Sequence, residues 1–349
     1  SQTLLKRCVD PAWVEMVTPE TILMLAHSRA YVDQLRTRVD EAGSSVECLT
    51  AIDASEDEDI NGRGNGARDK AERAMAVFGR DTVGNKRSWE AAMTAAGAVL
   101  EAVDRVLHGE AHNAFCAVRP PGHHAGVELH CMGAVSNGFC ILNNVALAAL
   151  YARHYGWDVL CRTEHPGFLY ASIHAFNRGG GDGSHPRIFP GTGAADEAHG
   201  NVLNIPLGDQ VHPYAFHRAT SRVIAALDAF RPNLILISAG FDAHQSDPSQ
   251  LGTLSARDFE VFTRRLVTAA ERLCGGRLVS VLEGGYALEC QATVRRAGQA
   301  RPPSPSPVGS VPARVGKKGR IASGETLADC IQAHCKGLVD GLIGGIDDD

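Results

Sequence analysis

Two adjacent imidazoles, His123 and His124, close the turn Arg119-Pro-Pro-Gly-His-His-Ala125. Proline fixes φ and glycine permits tight reversals, so the turn holds both rings on a defined, non-helical path. Histidine titrates near neutrality without help, which suits such a pair to moving protons. A plain surface loop with two histidines is the competing reading. Two further clusters bear on the choice. Asp242 lies in Ala239-Gly-Phe-Asp-Ala-His244, where its carboxylate can hold a metal or cap a helix. Tyr286 follows Gly284-Gly285, whose backbone freedom can aim a phenol into a pocket or seat a packing aromatic. His174 and His244 read as supporting or core groups rather than ligands. A carboxylate ligand, a histidine base and a phenolic donor together suggest metal-assisted amide hydrolysis. The cation acidifies water, histidine takes and returns the proton, and the phenol steadies the oxyanion.

Such chemistry needs a rigid frame, and each cluster follows an apolar run that reads as a buried strand. Ala114–Val118 leads into the histidine turn and Leu169–Ile173 into His174. Leu234–Ser238 leads into the Asp242 segment, and Leu278–Leu282 into Glu283-Gly-Gly-Tyr286. The last two runs are nearly continuous in apolar residues, as strands covered on both faces are. Helical spacing marks Ser88–Leu107, where Trp89, Met93, Ala96, Leu100, Val103 and Leu107 trace one stripe; Asn143–Tyr155 is a second helix. Ser255 and Asp258 have capping-box spacing and open a helix to Leu273, which Gly275-Gly276 stops. Strand, helix, strand in this order predicts a parallel sheet with helices on its faces. Ligands of such sheets sit beyond the carboxyl ends of the strands, so the four polar turns are expected to share one site.

Composition narrows the class. The 349 residues, 44% hydrophobic and 21% charged, suit one α/β domain with a substantial core. A net charge of -6 argues against a general nucleic-acid footprint. No apolar run reaches the roughly 20 residues that span a bilayer, and Ser1–Asp10 lacks a signal-peptide core. Ten cysteines, none in a CxxC pair, read as free thiols in a reducing cytosolic or nuclear compartment. They offer no structural zinc site. The polar, glycine-punctuated stretch 55–70 reads as a solvated loop. The stretch 291–324, rich in Lys, Arg and Pro, reads as a disordered insertion.

RPPGHHA at 119–125, Gly138-Phe-Cys-Ile-Leu-Asn-Asn144, Ser238-Ala-Gly-Phe-Asp-Ala-His244 and Leu282-Glu-Gly-Gly-Tyr286 together resemble the histone deacetylase family. The tyrosine and the GFDAH motif are most similar to its class II and bacterial amidohydrolase branches. The resemblance runs from about Asp81 to Glu289 and resumes near Leu327. It implies a three-layer arginase/deacetylase-like α/β fold, mainly parallel, with helices on both faces. It also implies a zinc-dependent hydrolase removing acetyl groups from acetyl-lysine of histones or other proteins, or from acetylated polyamines. By the same resemblance His123 and His124 are the acid/base pair, Asp242 a Zn2+ ligand and Tyr286 the transition-state phenol. Gly138 and Phe139 would wall the acyl-lysine tunnel, and Asp81 would hold the substrate backbone at its rim.

One family motif is missing. A strand ending in Asp-x-Asp-x-His-His-Gly, which carries the other two zinc ligands, belongs between the GFCxxNN helix and the strand before His174. Here Tyr155-Gly-Trp-Asp-Val-Leu160 and Cys161-Arg-Thr-Glu-His-Pro-Gly167 run straight into Phe168. Asp158 could stand at the carboxylate position, but Leu160 then falls at the histidine position and cannot bind a metal. Glu164 or His165 would have to substitute. A non-catalytic domain that binds acylated ligands or protein partners through the remaining tunnel is therefore the competing function. A ureohydrolase shares the broad fold, but RPPGHHA and GGY count against it.

Overall fold

Alternating side-chain direction along two central strands sets the layers of this protein. The computed structural model describes residues 19–41, 76–77, 81–128, 136–154, 167–177, 188–194, 200–288 and 325–343. The stretches 55–70 and 291–324 lie outside the described residues, as do Asp158, Leu160, Glu164 and His165. The first elements are α1 (Pro19–Ala26), α2 (Arg29–Glu41), β1 (Ala76–Val77), β2 (Val83–Gly84), α3 (Ser88–Leu107) and β3 (Asn113–Cys116). They are followed by α4 (Asn144–His154), β4 (Tyr170–His174), β5 (Val202–Pro206) and α5 (Pro213–Phe230). The last are β6 (Ile235–Ala239), α6 (Ala256–Cys274), β7 (Leu278–Leu282) and α7 (Leu327–Ile343).

β7 is central. It pairs in parallel with β3 from Asn113 opposite Leu278 to Cys116 opposite Val281. On its other edge it pairs in parallel with β6 from Ile235 opposite Leu278 to Ala239 opposite Leu282. Strand residues alternate between faces. Ile235, Ile237, Leu278 and Leu282 therefore join Phe216 of α5, Leu266 of α6 and Leu338 of α7 in one core. Leu234, Leu236, Val279 and Val281 join Val103 of α3 and Ala148 and Ala152 of α4 in another. This is the expected three-layer, parallel arrangement. Each fully buried Leu, Ile or Val contributes roughly 1.5–3 kcal/mol. α7 closes the first core through His334. Its ring hydrogen-bonds Thr263 Oγ1 (2.6 Å) of α6 and Ser280 Oγ (2.8 Å) of β7, so the polar Ser280 is satisfied at full burial.

The element boundaries differ slightly from expectation. β3 ends at Cys116 rather than Val118, because Val118 N–H turns back to Cys116 O (3.0 Å). β4 starts one residue later and takes in His174. β6 is likewise shifted by one residue, to 235–239. The α4 helix begins after Asn143, whose Oδ1 accepts from Ala146 N–H (3.0 Å) as a cap. The Ser255–Asp258 capping box is present, and Gly275 ends α6 in the left-handed conformation at Cys274.

A larger difference concerns the sheet. β4 pairs in parallel with β5 only, and among the described residues no strand joins β4 to β6. The parallel strands thus form two pieces rather than one sheet. Ser238, near the end of β6, is exposed. Residues 155–166, between α4 and β4, lie outside the described residues. No helix of the described residues is long and apolar enough to cross a membrane.

Candidate active site

The histidine turn is held by a carboxylate from the next strand. Glu283, one residue past β7, is almost fully buried and accepts Gly122 N–H (2.7 Å) and His123 N–H (3.2 Å). The same oxygen meets His123 Nδ1 at 3.0 Å, while Ser238 Oγ donates to the other oxygen at 3.3 Å. Arg119 adds a bond to Glu283 O (2.9 Å). Burial works against charge on both partners, but each offsets it for the other. Glu283 is held below the usual carboxylate range and His123 well above the usual imidazole value. His123 nevertheless keeps 36% of its side chain accessible.

His124 is the opposite case. Its ring lies 3.8 Å from that of His123 and edge-on to Phe189 at 4.7 Å. Burial, and then the neighbouring His123 charge, push it down to about 3. One imidazole is therefore cationic at neutral pH and its neighbour is a neutral base.

Asp242, beyond the end of β6, sits against backbone. A Cβ on Gly284 would fall 2.7 Å from its Oδ2, and one on Gly240 3.1 Å from its Oδ1. Burial raises its pKa, with the His123 charge opposing. Gly285 has φ +126, which only glycine adopts without strain, and turns the chain into Tyr286. Tyr286 N–H is anchored by Asp247 Oδ2 (2.6 Å). Its phenol is pushed up to about 12 by burial and by Asp242, against Arg119, so it stays a donor at neutral pH.

Phe139 stands edge-on to Tyr286 at 5.8 Å and is 45% exposed. Its N–H donates to Thr82 Oγ1 (2.8 Å), which donates to Asp81 Oδ1 (2.8 Å); Ser136 Oγ also donates to Asp81. Asp81 is thus tied to the Phe139 loop. At Gly138 a Cβ would lie 2.8 Å from the His124 ring and 2.6 Å from Phe189, so only glycine lets these rings close up. A cleft of about 620 Å³ adjoins the site, lined among others by Asp81, Arg119, Phe139 and Tyr286. The histidines and Asp242 are not in its walls, so of these groups the cleft reaches Tyr286 alone.

Three of the four polar turns meet directly, and the chain after the fourth reaches them through Phe189. His174 itself bonds Ser172 Oγ (2.8 Å) and Gly193 O (3.0 Å). His244 is buried against Glu325 (3.0 Å), a supporting role as expected. Glu283, Cys140 and Phe189 were not anticipated as site residues. Phe189 had a local signal, an aromatic opening the turn-rich Pro190-Gly-Thr-Gly193. Glu283 and Cys140 had none beyond their motifs, and the His123 partner of Glu283 comes from chain 160 residues away.

A catalytic zinc needs three protein ligands and one open position. Asp242 does not meet that requirement, because the described residues bring no second and third His, Cys, Asp or Glu donor to it. Only one cluster among them could hold a metal, His123, Cys140 and Glu283, and Asp242 is not in it. The described residues therefore do not fit the zinc site that the resemblance implies.

A three-layer α/β domain that gathers a histidine pair, a buried carboxylate and a phenol beyond its parallel strands belongs to the arginase/deacetylase class of folds. The histone deacetylase domain matches residues 3–299, and the chain belongs to that family of zinc-dependent amide hydrolases. The match reaches well before Asp81, further than the motifs alone indicate. The chain is 36% identical over 243 residues to type-2 histone deacetylase 2 of Dictyostelium discoideum, covering 62% of this chain and 14% of that one. It is 36% identical over 228 residues to a histone deacetylase-like amidohydrolase of Pseudomonas aeruginosa, covering 60% of this chain and 57% of that one. The chain thus spans little more than half of the latter's length, and far less of the former's. The crystal structure of the HDA15 HD domain superposes with a TM-score of 0.57 at 29% identity, covering 77% of this chain and 68% of that one.

Proposed function

We propose that this chain is a histone-deacetylase-like hydrolase acting on acetylated amines: acetyl-lysine of proteins or peptides, histones among them, or acetylated polyamines. The observation that carries this reading is the convergence of His123, His124, Asp242 and Tyr286 beyond β3, β6 and β7. Neutral His124 can take a proton from an attacking water, and charged His123 can return one to the leaving amine. The Tyr286 phenol, protonated at neutral pH, can donate to the oxygen that becomes negative. Gly138 and Phe139 form one wall for the acyl chain, with Phe189 on the His124 side. Asp81, fixed by Ser136 and Thr82, suits the rim contact to a substrate backbone.

A second reading is an acyl-ligand or protein-binding module without turnover. It is favoured by the isolation of Asp242 among the described residues. The two divide on one experiment, zinc analysis and acetate release from an acetyl-lysine peptide on the same purified chain. Near-stoichiometric zinc with release abolished by His124→Ala supports the hydrolase. Peptide binding without release supports the module, and neither binding nor release overturns both. The buried free thiols of Cys116, Cys140, Cys274 and Cys330 support a reducing compartment, cytoplasm or nucleus, for the protein.

A further inference from the structure

We propose that His123, Cys140 and Glu283 form a site for a thiophilic divalent cation, Zn2+ foremost, separate from the family position at Asp242. One ligand atom from each residue lies within 4.8 Å of the others, although the three come from the histidine turn, the 138–144 segment and the end of β7. Nitrogen, sulfur and carboxylate oxygen together select zinc or cobalt over magnesium or calcium. His123 Nδ1 and Glu283 Oε2 are already 3.0 Å apart, so a modest rearrangement seats a cation between them.

The surroundings suit a metal. Gly122 N–H, His123 N–H and Ser238 Oγ orient the Glu283 carboxylate, as hydrogen bonds around metal ligands do. Cys140 Sγ donates to Gly138 O (3.4 Å) and is fully buried, which places a thiol at the inner side of the cluster. The accessible part of the His123 ring gives an entry path and leaves an outer coordination position open.

Charge balances. Before binding, His123 and Glu283 are paired beside the Cys140 thiol, whose Sγ–H points at Gly138 O. Binding releases the His123 proton and the Cys140 proton, and the cation's two charges replace them. The net charge of the cluster is unchanged. The titratable and charged groups facing it are His124, Asp242, Tyr286, Tyr31 and Arg119. A cation here engages the His123–Glu283 pair and withdraws His123 from proton transfer, so it opposes catalysis. The inference does not depend on which acetylated amine the protein binds.

Titrating the full metal-free chain with Co2+ reads the site through thiolate-to-cobalt charge-transfer absorption. One equivalent should develop the band, with affinity rising about a hundredfold per pH unit while both protons are displaced. Cys140→Ser should abolish the band, and His123→Gln, at an accessible ring, should weaken binding by about tenfold or more. Asp242→Asn should leave the band intact. A band that survives Cys140→Ser overturns the proposal, as does one lost in Asp242→Asn. Cobalt binding with no band, no cobalt binding, or affinity indifferent to pH or to His123→Gln also overturns it.

Discussion

His123 and Asp242 stand beyond strands that flank the same neighbour, β7, yet their charges are handled in opposite ways. His123 is met by a buried carboxylate that also takes two backbone N–H groups of its own turn. Asp242 is packed against Gly240 and Gly284 and has its pKa raised by burial. The pairing of His123 is therefore complete within β3, β7 and their turns. Among the described residues no metal-holding cluster of His, Cys, Asp or Glu includes Asp242. The same difference marks the sheet, which is continuous from β3 through β7 to β6, while among the described residues no strand joins β6 to β4.

The largest effect should come from the His123 pairing. Glu283→Ala removes the acceptor of Gly122, His123 and Ser238, leaving the buried Gly122 N–H without its acceptor and the partly accessible His123 charge unpaired. We expect a loss of about 3–5 kcal/mol in urea unfolding. A loss under 1 kcal/mol would remove Glu283 as the organiser of the turn. Gly284→Ala forces a methyl onto the Asp242 carboxylate, which should cost about 1–3 kcal/mol. Its effect should shrink when Asp242 is also Ala, and additive effects would break the assigned contact.

Asp242→Asn should be the mildest, within about 1 kcal/mol of the parent and stabilising in sign at pH 7. It removes a charge that burial opposes. The pH dependences should differ in the same way. Glu283 has a lowered pKa, so its contribution is present above the ordinary 4.5 and is lost as pH falls through the folded value. His123 has a raised pKa, so its contribution is present below the ordinary 6.5 and is lost as pH rises through the folded value. Asp242 has a raised pKa and acts against the fold as pH climbs from 3.8 toward its folded value. Unfolding curves of Glu283→Gln and Asp242→Asn across pH check these signs.

The sequence made legible what is local. β6 and β7 showed as apolar runs, α6 by its capping box and glycine stop, and the site by turns that follow strands. α5 was also within reach, through Pro213 in its first turn and the spacing of Phe216, Ala219, Val223 and Leu227, but was not identified. The His123–Glu283 pair could not be read, because it needs chain 160 residues apart to meet across β3 and β7. Cys140 meets the turn over a shorter separation, its sulfur receiving His124 N–H at 3.4 Å from 16 residues away. His174 is held by Ser172 and by Gly193, which lies four residues after the Phe189 that packs on His124. Here β4 pairs only with β5 among the described strands.

The central claim is that Glu283 divides the histidine pair into one charged and one neutral ring. Following the His123 and His124 ring protons by NMR against pH, in the metal-free chain and in Glu283→Gln, tests it directly. His123 should stay protonated above pH 7, and His124 should remain neutral until the pH nears 3. In Glu283→Gln the His123 value should fall. Two rings titrating together near 6.5, unchanged by Glu283→Gln, would contradict the account.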